Sequence, residues 1–329
     1  MRLHLILCLV LITGAKLTLP HYLTQPNQLK KGFYAESCPD LEKIVFGVMQ
    51  EAVRASPRDA ASILRLFFHD CFVQGCDGSL LLDDEPGFQG EKGAVPNKNS
   101  ARAFYVIDFI KSSVEAFCPG VVSCADILAL ASRDAVVLTN GPFWDVFLGR
   151  RDARMASLSL ANSSIPNPAS NFTTLIAMFQ AQGLSSEDLV VLSGAHTIGF
   201  ARCTNFKQRL YNQSGTHKPD PNLSFPALLE MKTKCPPFGA DNSTHSLDKS
   251  PFLFDQSYYE GLVQRAALLN SDQVLQSTMG SPTTFLVELL ANDKKAFFDK
   301  FPLAMIKMGN ISPLTGSKGE IRRNCRIRN

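Results

Sequence analysis

The sequence predicts an all-α fold: mainly helical, with ten or more helices, long loops and little strand. Three observations lead there. Apolar residues recur at helical spacing in segment after segment, alternating strand patterns are scarce, and apolar residues make up 45% of 329 residues against 19% charged. That balance suits a compact body with a large core and excludes a disordered chain or a fibrous repeat.

The first element is an apolar run from Leu3 to Val10, extended by Leu11 and Ile12 and preceded by Arg2. One early positive charge before a short apolar stretch describes a secretory signal peptide, and the run is too short to span a bilayer. Thr13, Gly14 and Ala15 offer small residues for cleavage. The signal and a short polar segment occupy 1–27, so the mature start falls between Lys16 and Gln28. Residues 28–329 then read as one domain. Its first helix is marked by Leu41, Ile44, Val45, Val48, Met49 and Ala52. Helical patterns follow over 57–72, at Ile107, Ile110, Val114 and Phe117, and over 123–138, 172–182 and 186–196. Ser185, three residues before Asp188, supplies an N-cap for the last of these. The series closes with 257–270, 283–291 and 294–308. Loops rich in Pro, Gly, Asn and Ser run through 83–101, 139–171, 212–226 and 235–256, and loops that long usually wrap a site.

Charge and cysteine content narrow the class. The formal net charge is +3, and loss of Arg2 and Lys16 with the signal lowers it further. Such a body has no electrostatic footprint for nucleic acid or an anionic membrane. Of nine cysteines, Cys8 leaves with the signal. An even set remains: Cys38, Cys71, Cys76, Cys118, Cys124, Cys203, Cys235 and Cys325. An even set in an exported chain implies disulfides, with on the order of a hundred possible pairings. Six N-x-S/T sequons, at Asn162, Asn171, Asn212, Asn222, Asn242 and Asn310, agree with a secreted glycoprotein.

The residues with chemistry fall in three places. In Ile63-Leu-Arg65-Leu-Phe-Phe68-His69-Asp70-Cys71, Arg65 and His69 are four apart and share a helix face, with Phe68 adjoining. A fixed cation beside an imidazole can move a proton and stabilise the charge that develops. Taken alone, such a pair is more often a surface charge beside a satisfied histidine. In Leu192-Ser-Gly-Ala-His196-Thr197, a histidine ends an apolar helix. It is either a core residue or a metal ligand, in which case it needs an acceptor for its other nitrogen. Asp272 is a candidate. Asp70, Val73, Gly75, Asp77 and Ser79 place carboxylates, a hydroxyl and carbonyls in a tight loop. That set suits a hard cation such as calcium as well as it suits an acidic turn.

Together these segments resemble the class III plant secretory haem peroxidases. Arg65-Leu-Phe-Phe-His69-Asp-Cys-Phe, Gly75-Cys-Asp-Gly-Ser79, Val122-Ser-Cys-Ala-Asp126, Gly149-Arg-Arg-Asp152 and Leu192-Ser-Gly-Ala-His196-Thr carry the likeness, which runs from about Gln28 to Cys325. The resemblance implies a haem-peroxidase fold in which a distal half (about 28–165) and a proximal half (about 166–300) sandwich the haem, with a C-terminal segment returning to the distal half. It implies one haem b and two calcium ions. His69 would be the distal acid–base catalyst, with Arg65 and Phe68 beside it, Asn97 orienting it and Glu91 supporting the distal site. His196 would be the iron ligand, Asp272 the carboxylate bonded to it, and Pro166 a wall of the donor site. Asp70, Val73, Gly75, Asp77 and Ser79 would hold the distal calcium, and Thr197, Asp248, Ser250, Leu253 and Asp255 the proximal one. The implied disulfides are Cys38–Cys118, Cys71–Cys76, Cys124–Cys325 and Cys203–Cys235.

The chain departs from the family pattern near the proximal calcium. Asp248 is two residues before Ser250 where three are usual, and Gln256 stands where asparagine is common. Ala266-Ala267-Leu268 replaces a frequent Lys-Gly-Leu. The activity implied is reduction of hydrogen peroxide with one-electron oxidation of small phenolic donors. The setting implied is a monomer secreted to the apoplast or cell wall rather than the vacuole, with roles in peroxide removal, oxidative stress and wall phenolic chemistry. A haem-free wall-binding module would be expected to lose Arg65, His69 or His196, and all three are present. A hydrolase would need a G-x-S-x-G or H-E-x-x-H motif, and neither occurs.

Overall fold

The computed structural model describes residues 29–329, so the expected signal segment lies outside the described residues. Among them are thirteen α-helices and one two-stranded sheet. The first group is α1 (Leu41–Ala55), α2 (Arg58–Cys71), α3 (Phe104–Phe117) and α4 (Cys124–Leu138). α1 buries Leu41, Val45 and Met49, one stripe at a spacing of four. α4 is buried almost all round, from Cys124 to Val136, because α1, α2 and α3 all pack on it. A helix buried on every side must be central, and α4 is the spine of this half, with Asp126, Arg133 and Asp134 buried among its apolar residues.

After α5 (Leu158–Ser164), the second group comprises α6 (Phe172–Ala181), α7 (Ser186–Ser193), α8 (Lys207–Tyr211), α9 (Phe225–Lys234), α10 (Ser257–Val263), α11 (Asn270–Ser277), α12 (Thr284–Asn292) and α13 (Lys294–Gly309). α7 packs on α6 and α13, and α10 on α11 and α12. The largest apolar core is continuous through both groups. A smaller one, with Phe206, Leu210 and Met231, gathers around Cys203 and Cys235. Strand β1 (Phe200–Arg202) pairs antiparallel with β2 (Thr244–Ser246), Ala201 opposite His245. The disulfides are Cys38–Cys118, Cys71–Cys76, Cys124–Cys325 and Cys203–Cys235.

The elements differ from expectation in several places: α8 and α9 are helices the pattern did not mark, and β2 lies in the loop expected over 235–256. The loop expected over 139–171 contains α5, whose start is capped by Ser157 accepting from the Leu160 amide. The single helix expected over 257–270 ends at Val263 and resumes at Asn270, with Arg265 in the left-handed region between them (φ 57°). The helix expected over 186–196 ends at Ser193 and tightens into a 3₁₀ turn over Gly194–Thr197. Gly194 is required there by close approach: a Cβ would lie 2.3 Å from the Tyr259 hydroxyl.

Candidate active site

The site is built from the inward end of α2 and the turn that closes α7. α2 packs chiefly on α4 and carries Arg65, Phe68 and His69 in its last two turns. His69 is buried, and its Nδ1 lies 2.5 Å from Asn97 Oδ1. The amide of Asn97 is itself oriented, since its Nδ2 donates to the Glu91 carbonyl at 3.0 Å. Asn97 therefore turns an acceptor toward His69. The proton must sit on Nδ1, leaving Nε2 as a free acceptor. Burial, followed by the neighbouring Arg65, holds His69 well below the ordinary histidine value, so the ring is neutral at physiological pH. Glu91 is also buried. One carboxylate oxygen accepts from the Ser157 amide at 3.1 Å, the other has no partner, and burial pushes the group up to about 7.

Arg65 donates to the Pro96 carbonyl at 2.6 Å and to Ser100 Oγ at 3.1 Å. Burial, with Arg202 nearby, lowers it to about 10, which still leaves a cation at neutral pH. Phe68 meets the His69 ring edge-on at 5.7 Å and leans on Phe72 at 4.3 Å. It also packs against the small cluster of Val73, Ala94, Ala161 and Ile165, and Pro166 follows Ile165 in the chain.

His196 lies in the turn after α7. Its Nδ1 is 2.9 Å from Asp272 Oδ1 on α11, and the same oxygen accepts from Tyr258 on α10 at 3.1 Å. Burial opposes protonation of His196, but the Asp272 carboxylate outweighs it and holds the ring above the ordinary histidine value. Burial and Asp272 push the Tyr258 phenol well up, so it remains a donor. His196 is surrounded by protein, yet its side chain keeps 40% of its surface. A residue that is interior and accessible at once lines a cleft. His196 and Arg65 are near enough to influence each other's charge, as are His196 and His69. A carboxylate-held imidazole near a neutral imidazole and a guanidinium is the donor chemistry that suits a haem iron and a peroxide beside it.

The cation loops can be tested on their donor chemistry. Asp70 accepts from the amides of Gly78 at 2.9 Å and Leu80 at 3.2 Å, and Asp77 from the Ser79 amide at 3.0 Å. Both carboxylates are buried, which pushes Asp70 well above its usual range and Asp77 up to about 6. Ser79 Oγ is fully enclosed without a partner. Gly75 has φ 122°, and a Cβ there would lie 2.4 Å from the Ser312 carbonyl oxygen, so no side chain fits. Among the described residues no three His, Cys, Asp or Glu side chains form a metal cluster. The donors here are two carboxylates, a hydroxyl and carbonyls, the set a hard cation takes. In the second loop, Thr197 Oγ1 donates to Asp248 at 2.8 Å and to Asp255 at 3.2 Å. Ser250 Oγ donates to Asp255 at 3.1 Å. Asp248 is raised to about 7 by burial. Leu253, half-exposed, closes the turn through its amide to the Ser250 carbonyl at 2.8 Å. The second loop thus gathers the same donor types, with its hydroxyls already paired to the carboxylates.

Two residues of this site were not anticipated. Ser100 steadies Arg65, and Tyr258 shares the Asp272 oxygen. Tyr258 lies in the same Asp255–Tyr259 stretch as a candidate cation ligand, but no sequence spacing ties its hydroxyl to Asp272.

Comparison with known proteins supplies a second line. The family model described as Peroxidase matches residues 45–293. The chain is 54% identical over 301 residues to Peroxidase 49 of Arabidopsis thaliana, covering 91% of each chain. It is 52% identical over 304 residues to Peroxidase 9 of the same plant, covering 92% of this chain and 88% of the relative. Peroxidase 4 of Vitis vinifera is 52% identical over 301 residues, covering 91% of each.

Proposed function

The chain belongs to the class III plant peroxidases and is an enzyme that reduces hydrogen peroxide at the expense of donor substrates, and on that premise we propose how its own residues do so. The observation that carries the proposal is the hydrogen-bonded line from Glu91 through Asn97 to His69, which leaves an unprotonated Nε2 near the Arg65 guanidinium and within electrostatic reach of His196.

His69 Nε2 would take the proton from one oxygen of hydrogen peroxide and return it to the other, which leaves as water when the O–O bond breaks, and the remaining oxygen leaves as a second water once two donor electrons and two protons have been delivered. Arg65, fixed by Pro96 and Ser100, stabilises the negative charge that gathers on the departing oxygen. Phe68 keeps the cleft narrow and apolar, and Pro166 lines the approach for small phenolic donors. His196 would hold haem b through its Nε2, with Asp272 accepting from Nδ1 and making the imidazole a richer donor. When bound, haem supplies the electrons that reduce peroxide and passes the oxidising equivalents to two donor molecules in turn. Asp70, Val73, Gly75, Asp77 and Ser79 would hold one calcium, and Thr197, Asp248, Ser250, Leu253 and Asp255 a second. The unpartnered Ser79 hydroxyl and the buried carboxylates support the first.

The proposal extends to context. Residues 1–27 would be a signal peptide and residues 28–329 one haem peroxidase domain, secreted to the apoplast as a monomer. N-glycans would be carried at some of Asn162, Asn171, Asn212, Asn222, Asn242 and Asn310. Among the described residues no helix is long and apolar enough to cross a membrane.

His69→Ala should slow the reaction with peroxide by about 10²–10³-fold or more while haem stays bound. Near-normal stopped-flow kinetics in that variant would refute the acid–base role. His196→Ala should lose the Soret band of bound haem, and an unchanged spectrum would remove His196 from the metal.

A further inference from the structure

The carboxylate that holds His196 has a second donor. Asp272 Oδ1 lies 2.9 Å from His196 Nδ1 and receives the Tyr258 hydroxyl at 3.1 Å, so one oxygen serves both. Tyr258 and Asp272 are each 3% exposed. The Tyr258 ring also stands edge-on to the His196 imidazole at 6.2 Å and 75°, and against Tyr259 at 5.0 Å, so the phenol has little freedom to turn away.

A carboxylate oxygen shared by two donors gives each less than it would give one alone. In a buried, low-dielectric setting that division is not diluted by water. We infer that Tyr258 is a positioning residue that restrains the pull of Asp272 on the His196 proton and so sets how far the imidazole moves toward imidazolate. This rests on the reading of His196 as the iron ligand and deepens it. Hydrogen bonding outside the ligand is one of the levers by which a protein sets the potential of a haem iron. Asp272 pushes the ligand toward electron richness, and Tyr258 limits that push. The phenol is neutral and apolar apart from one hydroxyl, so it does this without adding a buried charge.

The test uses haem-loaded protein. In Tyr258→Phe, Asp272 should become a stronger acceptor for His196 alone. The iron–histidine stretching mode of the ferrous protein should move to higher frequency, and the ferric/ferrous potential should fall. Tyr34→Phe is the control for lost stability, because it removes another buried phenol–carboxylate bond, Tyr34 to Asp126 at 2.9 Å, away from the cleft. That variant should leave both readouts where they are. In an Asp272→Asn background, Tyr258→Phe should add no further shift. An unmoved stretch and potential in Tyr258→Phe, or a shift equal to that of Tyr34→Phe, overturns the inference. If Asp272→Asn moves the stretch while Tyr258→Phe does not, the role of Tyr258 falls and the His196–Asp272 reading stands. If His196→Ala keeps its haem spectrum, the reading beneath it falls instead.

Discussion

At the residue scale, the chemistry depends on which nitrogen of His69 carries the proton. Asn97 decides it, and Asn97 is itself decided by the Glu91 carbonyl. Asn97→Val removes the acceptor while keeping a similar volume. His69 is then free to exchange tautomers, and the peroxide reaction should slow by about 10–100-fold, a smaller loss than for His69→Ala. Stopped-flow kinetics at fixed haem content check this, and a loss equal to that of His69→Ala would mean that Asn97 does more than orient. The sequence makes part of this visible. Arg65 and His69 are four apart on a patterned helix, so their pairing can be read directly. Asn97 is 28 residues from His69 and could be placed only by family likeness. Tyr258 could not be placed at all, because its partner depends on how α10 and α11 meet across the turn at Arg265.

At the scale of the element, α7 delivers His196 and is anchored at its start. Its start is a capping box, with Ser185 accepting from the Asp188 amide and Asp188 accepting back from Ser185. Its side is tied to α13 by Lys307, whose Nζ reaches Asp188 at 2.8 Å. Burial would raise Asp188, but the bonds from Lys307 and Ser185 win and hold it below the usual carboxylate value. The sign follows from that depression. The stability Asp188 contributes is present in full above its unfolded value of 3.8 and is lost as pH falls through the lower folded value. Asp188→Asn should therefore be less stable than the parent at neutral pH, and the gap should close as the solution is taken below about pH 4. Thermal melts across that range check it, and a gap that widens in acid would overturn the assignment. The cap itself was legible from Ser185 and Asp188. The end of the helix was not, because apolar residues continue past Ser193 and only the crowding of Gly194 by Tyr259 shows why the backbone tightens there.

At the scale of the whole molecule, the C-terminal segment is joined to the first half by covalent and polar ties of long span. Cys124–Cys325 closes a loop of 201 residues. Replacing both cysteines by serine should cost about 2–5 kcal/mol, mostly by freeing the unfolded chain. Denaturant unfolding measures this, and an unchanged midpoint would mean that polar contacts alone hold the C-terminal segment. Those contacts centre on Arg322, which is fully buried. Its Nη2 donates to the Gly78 carbonyl at 2.6 Å and its Nη1 to the Cys325 carbonyl at 2.5 Å, while its backbone amide reaches Asp152 at 2.9 Å. Gly78 lies between Asp77 and Ser79, in the loop read here as a calcium site. Arg322 is 244 positions further along. On the ribosome, Gly78 is made long before Arg322, so until Arg322 appears the Gly78 carbonyl has only the Leu81 amide, and Asp152 only the Cys124 and Ala125 amides. The first half therefore cannot complete its polar interior until Arg322 has been made, and its folding is tied to a segment far along the chain.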